Sequence, residues 1–332
     1  MATLTSIPRE LRDQILAHVI QSHQNDRPAL NQTFEELTQH RKILESPELG
    51  SWCKTVLNIP ESVAANTTNL LLVNHQLHVE TLENIERLNA RVLELDVIIL
   101  DEILPLPTWL HVPTYHTNLD KVNVTFRISG RYDARKEKPQ ESSDDDASAC
   151  GYAKYGFYKG FRVADGAGPA IDWQTYSILE RFIKAGPVGE IDENHGHCHM
   201  AAKTLFINVE TPPDVEAALL QPPKSSRFRR RLDEDLTVLD PLYLAKQIGR
   251  NISHLLASGD YEWFRYGNIL YEHVNTISVH LDGEELSTVD VAERLRDLGG
   301  FQERYITTEA LAEYKKATWK KRRKRGLKVL RI

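Results

Sequence analysis

Cysteine is scarce in this chain of 332 residues: Cys53, Cys150 and Cys198 are odd in number and far apart. That excludes a disulfide framework and suits a reducing compartment. No run approaches eighteen apolar residues, and the start, MATLTSIPRE, lacks the basic region and apolar core of a secretory leader. Neither a membrane span nor a leader is expected, which puts the protein in the nucleus and/or the cytoplasm. The sequons at Asn31, Asn66, Asn123 and Asn251 are then chance matches. Catalytic signatures are missing as well. There is no H-E-x-x-H, no G-x-S-x-G and no kinase pattern. The glycine-rich fragment DGAGP at 165–169 lacks both the Lys-Ser/Thr of a phosphate loop and the third glycine of a dinucleotide site, so it reads as a turn.

What the chain does have is enough apolar composition, 41 %, for a sizeable core. Its net charge of −6 hides an asymmetry. Residues 315–331 carry ten of the 41 basic residues and no acid, leaving 31 basic against 47 acidic residues elsewhere, a balance of −16. An acidic body with a basic tail points to the tail as the part that meets an acidic partner.

The hydrophobic period divides the chain. Ile7, Leu11, Ile15 and Val19, flanked by Leu16 and Ile20, recur at three and four residues opposite Arg9, Arg12 and Gln14, and Pro8 marks the helix start. A second stripe, Leu70, Val73, Leu77, Ile85 and Leu88, has the same period, with Thr67 or Thr68 placed to cap it. The two helices are expected to close on each other through Leu11, Ile15 and Val19. Between them, residues 21–69 read as an insertion holding a short helix at Thr33 to Leu44 and Trp52 near the junction.

Beyond residue 90 the period becomes two at Leu93–Ile99, Val122–Ile128, Leu205–Val209 and Ile277–Leu281, as in half-buried strands. Helical patterns at Trp173–Lys184, Leu242–Leu256, Val289–Leu298 and Thr308–Lys324 alternate with them, so the fold class is mixed α/β with parallel pairing expected. The organisation reads as a helical module at 1–90, an irregular and possibly leucine-rich-like α/β body at 91–305, and a basic C-terminal helix and tail at 306–332. The charged, proline-containing segments at about 131–149 and 211–231 read as unfolded loops on that body.

The pair S-I-P-R-E-L-R-D-Q-I-L and L-L-L-V-N-H-Q-L-H-V-E-T resembles the two halves of the F-box and F-box-like proteins of filamentous fungi. L-P-T-W-L-H-V-P followed by D-K-V-N-V-T-F-R is similar to a segment such proteins carry after the box. The resemblance implies a non-enzymatic substrate receptor that docks its N-terminal helices on a Skp-type adaptor of a cullin ubiquitin ligase and offers its body to a protein target. It places the adaptor contacts at Leu4, Ile7, Pro8, Leu11 and Ile15. The insertion is the segment that must clear, or else cover, that face.

Three other constellations carry chemistry. His195, His197 and His199, with Cys198 among them, suit zinc or copper if the chain is extended there. No second ligand segment faces them, so they read as a polar loop with no essential metal, and no cofactor is expected. A hydrolase built on Cys198 would need a geometry that sequence neighbours rarely reach. The strip GYAKYGFYKGFRV at 151–163 either buries its rings on the body or uses them on bases or a protein partner. Finally Lys320, Lys321, Arg322, Arg323, Lys324 and Arg325 form a run expected to be dispensable for folding. It suits nuclear import, or nucleic-acid binding as the alternative to the adaptor reading.

Overall fold

The structure, a computed structural model, describes residues 4–44, 56–61, 63–88, 91–114, 116–131, 169–187, 199–222, 238–257, 261–299 and 307–331. A 3-10 turn at Leu4–Ser6 leads into α1 (Arg9–Gln21), α2 (Phe34–Thr38), the paired short strands β1 (Lys42–Ile43) and β2 (Leu57–Asn58), α3 (Asn66–Val73) and α4 (His75–Arg87). Then come β3 (Val92–Leu100), β4 (Leu104–His111), β5 (Asn118–Ser129), α5 (Ala170–Ala185), β6 (Ala201–Glu210), β7 (Leu220–Gln221) and β8 (Val238–Leu239). The chain continues through α6 (Pro241–Leu255), α7 (Tyr261–His273), β9 (Val274–Leu281), β10 (Glu284–Asp290), α8 (Val291–Asp297) and α9 (Thr308–Lys324).

The four segments of period two are the four parallel strands. They form a mixed six-stranded sheet in the order β10-β9-β6-β5-β3-β4, with β3, β5, β6 and β9 parallel and the two outer strands antiparallel. Leu93, Leu95 and Val97 of β3, Val124 and Phe126 of β5, and Ile207 of β6 point to one face, where α5, α6 and α7 cover them in the main core. Among the described residues the connections differ in kind. A hairpin strand follows β3, one helix follows β5 and two follow β6, so no repeating unit runs through the sheet.

Local signals account for most boundaries. Asp240 caps α6 ahead of Pro241, Asp290 and Thr307 cap α8 and α9, and Thr33 with Glu36 closes a capping box on α2. Asp282-Gly283, both at positive φ, makes the tight β9–β10 turn. Two expected boundaries change. The second N-terminal helix is two helices, because Asn74 takes an extended conformation and its side chain accepts a hydrogen bond from the Leu77 N–H, starting α4 afresh. Thr67 and Thr68 lie inside α3, whose cap position is Ala65. In the segment 211–231, residues 211–222 are folded: Thr211 donates its N–H and hydroxyl to Asp282, and β7 pairs in parallel with β8. The remainder of that segment, with 132–149, lies outside the described residues.

The described part of the insertion is built into the body. Residues 23–44 cross the second face of the sheet, where Leu30, Phe34, Leu37 and Ile43 join Ile98, Leu100, Leu104 and Leu106 in a separate cluster. Arg41 is the rivet. It donates to the carbonyls of Leu37, Leu57 and Pro107 and to the Thr108 hydroxyl, and burial lowers its pKa to about 10.

Between α5 and α6 lies a buried carboxyl. Asp172 is 6 % exposed, accepts both of its hydrogen bonds from the Gln247 amide at 2.9 and 3.0 Å, and is pushed by burial up to about 6 from 3.8. The folded state therefore binds this proton more tightly than the unfolded chain. Stability from this group is fully present below pH 3.8 and is lost as pH rises toward about 6. The gap corresponds to roughly 3 kcal/mol. Asp172→Asn is expected to raise the melting temperature at pH 7 and to flatten its fall between pH 4 and 6. Unfolding scans across that range check it.

Candidate interaction surface on the N-terminal helices

The inner face of α1 is Arg12, Leu16 and Ile20, not the Leu11–Ile15–Val19 row. Leu16 and Ile20 are fully buried, and Ile20 meets Ile85 and Leu88 of the second half. Arg12 is buried with them because α4 supplies Glu80. The guanidinium donates to both carboxylate oxygens, Nε to Oε2 at 2.9 Å and Nη2 to Oε1 at 2.6 Å, and Arg12 also reaches the Ile7 carbonyl. That pairing, helped by the Gln76 amide at 3.0 Å, holds the Glu80 carboxyl down at about 2. Asn84 donates to Asp13 at 2.8 Å one turn along, and Arg9 pairs with Glu83 at the rim. The helices are thus registered by directional bonds, which tolerate no slip, around a small apolar centre.

The consequence is on the outside. Leu11 and Ile15 face outward at 48 % and 42 % exposure. From α3, Leu72 at 79 % and Val73 are exposed, and from α4, Val79 and Leu82. Six of the seven large apolar side chains that stand exposed among the described residues belong to these three helices, the other being Leu286 on β10. Leu4 and Ile7 are half-buried and Pro8 is exposed, so the five candidate contacts all sit at or near the surface of one helix end and one helix face.

The module cannot swing freely on the body. Gln24 exchanges side-chain hydrogen bonds with the Val112 backbone, accepting its N–H at 2.7 Å and donating to its carbonyl at 2.5 Å, while its own N–H donates to Leu110. Asn66 and Thr67 donate backbone N–H groups to Val112 and Pro113, and Asn25 reaches the Trp109 carbonyl. The L-P-T-W-L-H-V-P segment, read above only as a family likeness, is the β4 edge and the loop that receives these bonds.

The other candidates separate. Arg322 of the basic run is fully buried. Lys321 pairs with Glu272 at 2.7 Å, and Arg323 lies over the Trp319 ring. The run is therefore part of the fold, which corrects the expectation that it is dispensable. His199 is exposed beside His273, ring centroids 5.5 Å apart, and His273, buried against the Met200 carbonyl, is lowered to about 3. No cluster of three or more His, Cys, Asp or Glu that could hold a metal occurs among the described residues. His195, His197, the three cysteines, Trp52 and the 151–163 strip lie outside them. Among the described residues no helix is long and apolar enough to cross a membrane. No protein-family model matches the chain, and neither does any curated protein or solved structure.

Proposed function

We propose that the three N-terminal helices form an F-box-like docking module for a Skp-type adaptor of a cullin ubiquitin ligase, and that the α/β body presents a protein target to it. The observation that carries this reading is the concentration of exposed apolar side chains on α1, α3 and α4. Patches of that kind mark protein contacts. An arginine is buried on α1 while leucine and isoleucine face water, an inversion that stability alone does not select. The bonds through Gln24 and Asn66 suit a receptor, because an adaptor and a target held by one rigid body keep a fixed separation. Residues 23–44 of the insertion are committed to the sheet and not to the outward face of α1.

Co-expression with a Skp-type adaptor tests it. Wild-type protein is expected to co-purify with the adaptor, and Leu11→Ser with Ile15→Ser to abolish this while the melting temperature stays within a few degrees, because both side chains are already wet. Leu16→Ala, at the buried centre, is expected to cost roughly 2–5 kcal/mol. Wild-type protein that ignores the adaptor would remove the proposal.

A further inference from the structure

We infer that α9 carries a nucleic-acid phosphate-binding face, made by Lys316, Lys320, Arg323 and Lys324. The helix contains two kinds of cation. One kind is used by the fold: Arg322 is fully buried on backbone carbonyls, Lys315 donates to the Arg296 carbonyl at 2.7 Å, and Lys321 pairs with Glu272. The other kind bonds to no other element among the described residues, Arg323 lying only over the Trp319 ring of its own helix. Lys316, Lys320, Arg323 and Lys324 are exposed and make no ion pair among the described residues.

Their spacing puts them together. At about 100° per residue the four fall within roughly 100° of arc, on the side of the helix opposite Leu311, Thr318 and Arg322. Like charges three and four residues apart repel and weaken a helix. The helix dipole offsets part of this repulsion in the last turn, and an anion that arrives from outside offsets the rest along the row. Glu309 and Glu313 lie on the same side nearer the N-terminus, so the row begins at Lys316.

Two features favour nucleic acid over an acidic peptide. Lys316 to Lys324 spans about 12 Å of helix axis. A duplex carries one negative charge for about every 1.7 Å of its axis over both strands, so that length of row lies against enough phosphate charge to engage each of the four cations. Beside the row lies Trp319, half-exposed, with the Arg323 guanidinium 5.5 Å from its ring centre. An indole held at the edge of a cationic row is placed to pack on a sugar or an unstacked base, which an acidic peptide does not provide. The acidic balance of the rest of the chain keeps a polyanion off the body and leaves this helix as the point of entry.

The inference stands independently of the adaptor reading, since α9 packs chiefly on α7. Its test is binding of the full chain to a labelled DNA duplex of arbitrary sequence across a salt series, with a polyglutamate peptide in parallel. The duplex is expected to bind without sequence preference, log affinity falling against log salt with a slope of about −3 to −4, as four phosphate contacts require. Replacing Lys316, Lys320, Arg323 and Lys324 with Gln is expected to remove binding without lowering the melting temperature, and Lys320→Gln with Lys324→Gln to reduce the slope by about 2. Absence of duplex binding at low salt, binding unchanged in the four-residue variant, or tighter binding of polyglutamate than of duplex would each overturn it.

Discussion

Arg322→Ala is expected to be the most damaging change of any single cation in the basic tail, lowering stability by about 3 kcal/mol or more, whereas Lys320→Ala and Lys324→Ala stay within about 0.5 kcal/mol. Arg322 reaches inward from α9 and is shared among several acceptors. Its Nη1 donates to the carbonyls of Tyr271 and Val274, its Nε to the carbonyl of Lys328 and its Nη2 to the Asn275 side chain. No carboxylate accepts these bonds. Burial accordingly lowers the guanidinium pKa to about 10, still far enough above neutrality to keep the charge. Truncation leaves four buried or half-buried acceptors without their donor, and each such loss costs about 1–3 kcal/mol when water cannot replace it. The carbonyls of Tyr271 and Val274 lie at the end of α7 and the start of β9, so the damage spreads from the C-terminal helix into the sheet. Arg322→Lys should be intermediate, because one ammonium cannot reach acceptors that a planar fork spans. Thermal and urea unfolding of the three alanine variants side by side check the ranking. A nuclear-import experiment should for this reason neutralise Lys320, Lys321, Arg323 and Lys324 and spare Arg322, since removing the whole run confounds location with folding.

The periodicities were legible where one face of an element is wet and the other dry. Leu205, Ile207 and Val209 alternate with half-exposed partners, and the strand followed directly. β4 was not legible, because Pro105 and Pro107 break the strand pattern, and they are tolerated only because β4 is an edge. α7 has a broad aromatic sequence, YEWFRYGNILYEH, without a clean polar face, and Gly267 hides its reason for being there. A Cβ at that position would stand 2.0 Å from the Leu255 carbonyl, a contact known only once α6 is in place.

On α1 the apolar positions were legible in the sequence and the direction they face was not. Rows Leu11–Ile15–Val19 and Arg12–Leu16–Ile20 have the same spacing, one residue out of step, and hydrophobicity favoured the wrong one for the interior. The deciding fact is a partner 68 residues away, Glu80, which makes Arg12 acceptable inside. No local pattern contains it. A basic residue in phase with Leu16 and Ile20 and an acid in phase with Leu77 and Ile85 were the available signal, weak because surface pairs show the same spacing.

The second large effect is expected at Asp96, where a single strand residue joins the insertion to the sheet. Asp96 on β3 is fully buried and accepts two bonds from Arg127 of the neighbouring β5, at 2.7 and 2.6 Å, and one from Arg27 of the insertion at 3.1 Å. Arg127 in turn donates to the Pro28 carbonyl, and Arg27 reaches Glu210 on β6. Asp96→Ala strands the Arg127 guanidinium in a site that is 7 % exposed, and removal of one partner from a buried pair costs about 3–5 kcal/mol. Arg27→Ala removes a half-exposed cation whose bonds water can replace, and should cost less than about 1 kcal/mol. Replacing the central pair together, Asp96→Leu with Arg127→Met, is expected to recover most of the lost stability, since an apolar pair of similar bulk pays no desolvation. What it should not recover is the position of residues 27–30. With the Pro28 carbonyl deprived of its donor and the Arg27 guanidinium left with Glu210 alone, that stretch is held by the Arg27–Glu210 pair and by Leu30, whose carbonyl accepts from the Ser129 hydroxyl. Amide exchange there is expected to quicken in the double variant while exchange in β3, β5 and β6 keeps its wild-type rate. Unchanged protection at 27–30 would show that apolar packing alone seats the insertion. Faster exchange would assign the ionic network its particular task, fixing where the N-terminal helices are carried on the sheet and therefore the direction in which Leu11 and Ile15 face.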